Sequence, residues 1–544
     1  MKKLFLVAAT VIIAAIFVFS SCATSTSTTT SSTAAPSSTT SATKPPLTTT
    51  SFTPTTGIVT STTTAGGNYG GNVRILGSNS PTSIGYYATM QFADMTVVPL
   101  WAERVLELKT DGSFYPGLCE SYDMSSDLMT VILHLQKGIK FQDGTDWNAD
   151  AAVWNFQNCL PTGGLGGGSK YITSIEATDP LTVTVKLNAP YNQIIYNIAR
   201  IFMFSPTAFK EHGQDWCVNN SVSTGAFQVT EFKRDVSVKM KKNPNYWRPG
   251  LPYLDTAEFI VIKDSATALA LMEAGQADGW MISTPPETQT LAGEGFGIVQ
   301  TPSTYRFLYP DSNNPDSPFA KKEVREAVEY AIDRAAMAKA IGFGYVQPVD
   351  QPTHKGTKAY NPDYPVRAYN PAKAKELLAA AGYPNGFKTK LTGQAAFDSN
   401  ALAVLKNYLA AVGIDAEIDL VDVGRFWGEV NGGWDGLLYG FMAVNPQFCV
   451  AWLDHVGPAP MMAFKGMSKS QAYLDACAKV VTAPDVPSMG KATQEMVTQF
   501  GLDALAIPCI LNMGTSVFVP KFHSGYFTYV DWTYWDLYLD YWEK

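Results

Sequence analysis

Alternation of apolar and polar positions is clearest in LTVTVKL, where Leu181, Val183, Val185 and Leu187 fall on one face and the threonines and Lys186 on the other. That period of two, following the turn at Asp179-Pro180, predicts a half-buried strand of an antiparallel sheet. TVILHL (Thr130 to Leu135) repeats the pattern, and KGIKFQDGTDWNADAAVWNF then turns through Asp143-Gly144 into a helix capped near Asn148. Further on the period changes. In EVREAVEYAIDRAAMAKAIGFG (Glu323 to Gly344), Val324, Ala327, Ala331 and Ile332 recur at helical spacing, and the helix is expected to close at Gly342. NPAKAKELLAAAGYPNG supplies Asn370 as cap, Pro371 in the first turn and Gly382 as stop. KNYLAAVG then leads into a strand, IDAEIDLVD (Ile414 to Asp422). A strand-rich first half and a helix-strand second half predict two α/β lobes of different internal design.

The amino terminus follows neither pattern. Lys2 and Lys3 precede an apolar run, Leu4 to Phe19, that ends at the small residues Ser20 and Ser21. It has the form of an export signal and falls short of the about 20 apolar residues a spanning helix needs. FSSC, ending in Cys22, resembles a bacterial lipobox in which Phe19 replaces the usual leucine. That resemblance implies cleavage before Cys22 and lipid on its thiol, against the alternative of plain secretion. From Ala23 to about Gly67 the chain is Ser/Thr-rich with scattered prolines, too poor in large apolar side chains to offset its ordering entropy. It reads as a tether of about 44 residues, reaching roughly 35 to 40 Å.

Composition narrows the function classes. About 475 residues remain, enough for two or three units with substantial cores. The net charge of −8 lacks the basic excess of nucleic-acid binders, and no nucleic-acid partner is expected. Of the seven cysteines, the six after Cys22 (Cys119, Cys159, Cys217, Cys449, Cys477 and Cys509) show no CxxC spacing, and most read as buried small hydrophobes. The five histidines are scattered, so no metal is expected. GGLGGGSK (Gly163 to Lys170) has its lysine and serine in the wrong order for a phosphate loop, and no GxSxG elbow occurs. Neither a cofactor nor a catalytic residue is expected.

Four long blocks carry a specific resemblance. DGSFYPGLCESYDMSSDLMTVILHLQKGIKFQDGTDWNADAAVWNF, STGAFQVTEFKRDVSVKMKKNPNYW, NPDSPFAKKEVREAVEYAIDR and YNPAKAKELLAAAGYPNGF stand in the order found in extracytoplasmic solute-binding proteins of family 5, the oligopeptide, dipeptide and nickel class. The resemblance runs from about Asn72 to the carboxyl terminus. It implies an α/β, two-lobed periplasmic-binding-protein-like fold (type II, cluster C) with an extra subdomain in lobe I. The implied organisation is a lipoprotein signal at 1–21, a tether at 22–66 and lobe I at 67–303 with a subdomain near 95–203. Lobe II would occupy 304–510, and 511–544 would return to lobe I. The implied activity is binding rather than bond-making. A monomer closes around a peptide or other small organic solute and delivers it to ABC permease and ATPase subunits, held at the membrane by the lipid on Cys22. An oligosaccharide receptor of the same family, a sensory binding protein outside transport, and a secreted enzyme are the competing readings.

In peptide-binding members, a GWxxD segment supplies the acid that pairs with the ligand's α-ammonium group. Aligned on Gly440, this chain places Phe441 at the aromatic position and Val444 at the aspartate, with Asp435 or Asp454 as possible substitutes. Tyr87, Trp101, Phe441 and Trp452 are candidate stacking residues, each equally at home in a core. Asn445 and Gln447 are candidate neutral hydrogen-bonding groups, or members of a solvated turn at Asn445-Pro446.

Overall fold

A computed structural model describes residues 67–108, 114–161, 166–395, 397–444, 464–524, 527–528 and 534–543. Cys22, the signal and tether segments, Cys449, Asn445, Gln447, Trp452 and Asp454 lie outside the described residues.

One eleven-stranded sheet runs through the molecule. Its order is Ile414–Val421, Phe387–Gln394, Leu437–Ala443, Gly297–Pro310, Ile507–Phe518, Gly279–Trp280, Asn72–Gly77, Thr256–Val261, Ser237–Lys242 and Phe227–Lys233, with Val346–Pro348 added on Ile507–Phe518. Two central strands are long, at 14 and 12 residues, and pair antiparallel from Gly297↔Phe518 to Leu308↔Ile507. Their register shifts between Pro302 and Thr304. Pro302 has no N–H to donate, so the ladder cannot run through it unbroken. The extra residue, Ser303, instead offers its carbonyl to the Val444 N–H at 2.7 Å.

The sheet is shared, but the hydrophobic cores divide at this crossing. Val73, Ile75, Trp101, Phe227, Phe259 and Phe518 belong to one cluster, with a smaller one around Leu76, Met272, Trp280 and Val517. Beyond the shift, Tyr305, Phe307, Leu438, Met442 and Phe500 form one cluster, and Leu308, Val328, Leu391, Leu405 and Tyr439 another. A separate four-stranded antiparallel sheet, in the order Cys119–Met124, Thr130–Leu135, Thr182–Leu187, Ile172–Asp179, packs into the first cluster. Its buried residues include Val131, Leu133, Leu135, Val183, Val185 and Leu187, the faces that the alternation predicts.

The capped helices form as expected. Asn148 accepts the Ala151 N–H at 2.9 Å to start Ala149–Cys159, and Asn370 accepts the Lys373 N–H at 3.0 Å to start Pro371–Ala380. The single helix expected over Glu323 to Gly344 is instead two, Lys322–Ala331 and Arg334–Gly342. Ile332 is extended, and the Asp333 carboxylate accepts the Ala336 N–H at 2.9 Å, so the second helix has its own cap. The break also lets Arg334 donate to the Pro508 carbonyl at 2.7 Å, tying this helix pair to a crossing strand. Asp333→Ala is expected to cost about 1 kcal/mol, read by calorimetry as a fall in Tm of about 1 to 2 °C.

Cys119, Cys159, Cys217, Cys477 and Cys509 are free and buried. Burial pushes the Cys477 and Cys509 thiols up to about 12, which keeps them protonated and inert. Among the described residues no group of three His, Cys, Asp or Glu could hold a metal ion, and no helix is long and apolar enough to cross a membrane.

Candidate functional site: the crevice at the strand crossing

Strand direction places the site. Phe387–Gln394 and Ile414–Val421 are parallel over eight pairs, and Leu437–Ala443 is parallel to the first of them. All three therefore end at one edge, where Thr304 of the crossing strand pairs with Ala443. In the amino-terminal half, Asn72–Gly77, Thr256–Val261 and Gly279–Trp280 are parallel, and Trp280 pairs with Val517 on the other crossing strand. Their carboxyl ends also point toward the crossing. Two carboxyl edges thus face each other across Pro302 to Thr304 and Asn512 to Met513, the place where open α/β sheets take their ligands.

On the second-half edge, Phe397 is 71% exposed and Val423 is 52% exposed. The half-buried Phe441 ring meets Trp427 edge-on at 6.0 Å, and the Arg306 guanidinium lies 5.3 Å above it. Arg306 pairs with Asp398 at 3.1 Å, and Asp398, only 1% exposed, also accepts the Gln394 N–H at 2.8 Å. Burial raises the Asp398 carboxyl above its ordinary value, and Arg306 opposes that rise. Val444 is 2% exposed and packs in the cluster with Tyr305, Met442 and Phe464, so the position aligned with the aspartate is apolar and closed. Beside it, the Tyr305 hydroxyl meets His354 Nδ1 at 2.6 Å, and burial pushes that imidazole down to about 4.

The other candidates sit deeper. Trp101 is 1% exposed and its indole donates to the Ile84 carbonyl at 2.9 Å. Tyr87 is buried with its ring 6.3 Å from Phe202. Trp101 also lines a cavity of about 30 Å³ in the first half, together with Glu103, Arg104, Glu107, Tyr246, Asp536 and Tyr538. That volume suits a water or two rather than an organic solute. Glu103 accepts from Tyr246 Oη at 2.8 Å, Trp247 Nε1 at 2.9 Å and Thr224 Oγ1 at 2.8 Å. The STGAF and NPNYW blocks therefore do structural work here, holding a buried carboxylate. Gly225 is required where they meet, since a Cβ there would lie 2.1 Å from the Trp101 carbonyl oxygen.

The two halves also touch away from the crossing. The Asn192 N–H donates to the Val481 carbonyl at 2.9 Å, and its side-chain Nδ2 donates to Val480 at 2.8 Å and Ala483 at 2.9 Å. These are carbonyls at and just beyond the end of helix Gln471–Val481. Gln193 Nε2 donates to Asn192 Oδ1 at 2.6 Å and lies 3.0 Å from Met489 Sδ. Sequence reasoning missed Arg306, Phe397, Trp427 and Asn192. Arg306 alone carried a signal, as a lone cation in the apolar run TYRFLY.

Two halves on one sheet, with facing carboxyl edges, define a two-lobed binding protein. The family model described as bacterial extracellular solute-binding proteins, family 5, matches residues 113–452, and the chain belongs to that family. It is 34% identical over 359 residues to the glutathione-binding protein GsiB of Shigella flexneri, covering 62% of this chain and 69% of that protein. Among solved structures, the periplasmic binding protein DppA of Helicobacter pylori in complex with the peptide STSA superposes with a TM-score of 0.75 at 20% identity, covering 88% of this chain and 99% of that one. NikA of Brucella suis in complex with Fe(III)-EDTA gives 0.75 at 20% identity, covering 85% and 98%.

Proposed function

We propose that this chain is the lipid-anchored substrate-binding component of an ABC importer. It is not an enzyme; it captures a peptide-like solute between two closing lobes and hands it to the permease. The facing carboxyl edges at the strand crossing carry this reading. Lobe I would comprise 67–303 and 511–544, and lobe II 304–510, each with its own core. Closure is then a population shift, driven by a ligand that touches both edges. The signal at 1–21 would be removed, Cys22 would carry the lipid, and 22–66 would tether a monomer near its translocator. Phe441, with Trp427 and Arg306, would form the lobe II side of the site. The GsiB relatives support a peptide-like ligand, since glutathione is a tripeptide.

Val444 refines the ligand class. A buried ammonium group facing this valine would lack its ion pair, a penalty of about 3 kcal/mol or more. N-acetylated tripeptides are therefore expected to raise the melting temperature of the soluble domain at least as much as unblocked ones. A panel of glutathione, free and acetylated tripeptides, and maltotriose tests this, after native mass spectrometry of whatever ligand co-purifies. A strong requirement for a free amine would overturn the Val444 argument, and a response to maltotriose alone would favour the oligosaccharide reading. Cys22→Ala is expected to move the full-length protein from the membrane to the soluble fraction.

A further inference from the structure

Ile282 follows the strand Gly279–Trp280 at the lobe I carboxyl edge and has a φ of +56°. Six non-glycine residues among those described have positive φ, namely Leu128, Asp235, Ile282, Phe343, Phe464 and Ala504, and only Ile282 is β-branched. In that region the Cβ crowds the following carbonyl, and a branch at Cβ makes the crowding worse.

The neighbours hold the conformation from both sides. The Met281 N–H donates to the Leu76 carbonyl at 2.8 Å, and the Ser283 N–H donates to the Thr515 carbonyl of the crossing strand at 2.9 Å. Ser283 Oγ lies 2.6 Å from Thr288 Oγ1 and 3.1 Å from Thr515 Oγ1, which donates back to the Ser283 carbonyl at 2.9 Å. Packing does not explain the isoleucine, whose side chain is 40% exposed. It rims a shallow recess with the exposed Ser78 and Asn79 and with Thr96, Phe259 and Met281. No residue lining that recess is charged. Backbone strain that the surroundings over-determine clusters at active sites and ligand clamps, and here it lies beneath an open apolar side chain at the crevice edge.

We propose that Ile282 is a specificity-determining contact of the crevice. The recess, at about 10 Å³, is too small to enclose a side chain, so Ile282 acts by surface contact: its exposed side chain packs against an uncharged aliphatic side chain of a peptide-like solute lying in the crevice, while Ser78 and Asn79 offer neutral hydrogen bonds beside it. The inference rests on the receptor reading above and adds to it the chemistry of one subsite.

The test uses two probes, acetyl-Ala-Leu-Ala-amide and acetyl-Ala-Gly-Ala-amide, titrated calorimetrically into wild type, Ile282→Asn and Ile282→Gly. Wild type is expected to prefer the leucine peptide by about tenfold, and both variants to lose most of that preference. Ile282→Asn, which tolerates the left-handed region, should leave the ligand-free Tm unchanged or raise it by up to about 3 °C. Undiminished leucine preference in both variants overturns the assignment while leaving the receptor reading intact. A fall in Tm of more than about 4 °C in both variants marks Ile282 as a packing residue and also overturns it. If wild type binds neither peptide, the peptide reading fails and the subsite falls with it.

Discussion

Asn192→Asp is expected to open the ligand-free molecule and to weaken ligand binding by about a hundredfold. The wild-type side chain donates two hydrogen bonds, to the carbonyls of Val480 and Ala483, and both are lost when Nδ2 becomes a carboxylate oxygen. Each such bond is worth about 0.5 to 1.5 kcal/mol net. The new negative charge would also face the negative end of helix Gln471–Val481, adding about 0.3 to 1 kcal/mol. Together these disfavour the closed arrangement by roughly 3 kcal/mol, and a ligand that needs this arrangement loses affinity by the corresponding factor. The bond from Gln193 Nε2 to the Oδ1 position survives the change, so the local turn is preserved. Small-angle scattering should show a larger radius of gyration without ligand, and titration should show the weaker Kd. Because the affected contacts join two separately packed cores, unfolding temperature should hardly move. Unchanged radius and affinity would mean that these bonds contribute nothing to closure.

Legibility in the sequence followed the range of the interactions involved. Asn148 and Asn370 were readable because a cap acts within three residues, and the strands at Thr130–Leu135 and Thr182–Leu187 because one face of each is buried throughout. The break at Ile332 was missed although Asp333 is a cap of the same three-residue kind, because helical periodicity continues across it, and the reason for the break, Arg334 reaching a carbonyl 174 residues away, leaves no local trace. The crossing strand was likewise opaque. GIVQTPSTYRFLYP serves one half of the sheet before Pro302 and the other after Thr304, and no single alternation covers both duties. At the crevice, Phe441 was reached only by resemblance, and Ile282 not at all, since its meaning lies in a backbone angle. Trp101 and Tyr87 stood out as aromatics, but size alone does not separate a cleft from a core, and both are buried here. Glu103 and Glu107 passed unnoticed because acidic residues near a strand usually face water.

Glu107 carries the second large effect. Its side chain is 12% exposed and lies 3.9 Å from Arg104 at the 30 Å³ cavity, which Glu103, Asp536, Tyr246 and Tyr538 also line, and the Arg248 charge acts on it from nearby. Burial pushes its carboxyl from 4.5 up to about 8, with Arg104 opposing and Asp536 adding to the rise. At neutral pH Glu107 is thus mostly protonated; burial also raises the Glu103 carboxyl, with Arg248 opposing. Asp536 is pushed up to about 6 by the same burial, with Arg248 opposing. A raised carboxyl holds its proton more tightly folded than unfolded, so the folded state is favoured below pH 4.5 and progressively disfavoured as pH climbs to about 8. Glu107→Gln mimics the protonated form and removes that slope. The variant should match wild type near pH 4.5 and exceed it by roughly 4 kcal/mol at pH 8, each pH unit in the window contributing about 1.4 kcal/mol. His354 works in the opposite direction, losing stability as pH falls from 6.5 toward 4, but it is common to both proteins and cancels in the difference. Urea unfolding at half-unit steps from pH 4.5 to 8.5 measures that difference directly. A constant gap between the two curves would show that the carboxyl does not titrate across this window, and a less stable variant at pH 8 would show that its negative charge is needed to balance Arg104 and Arg248.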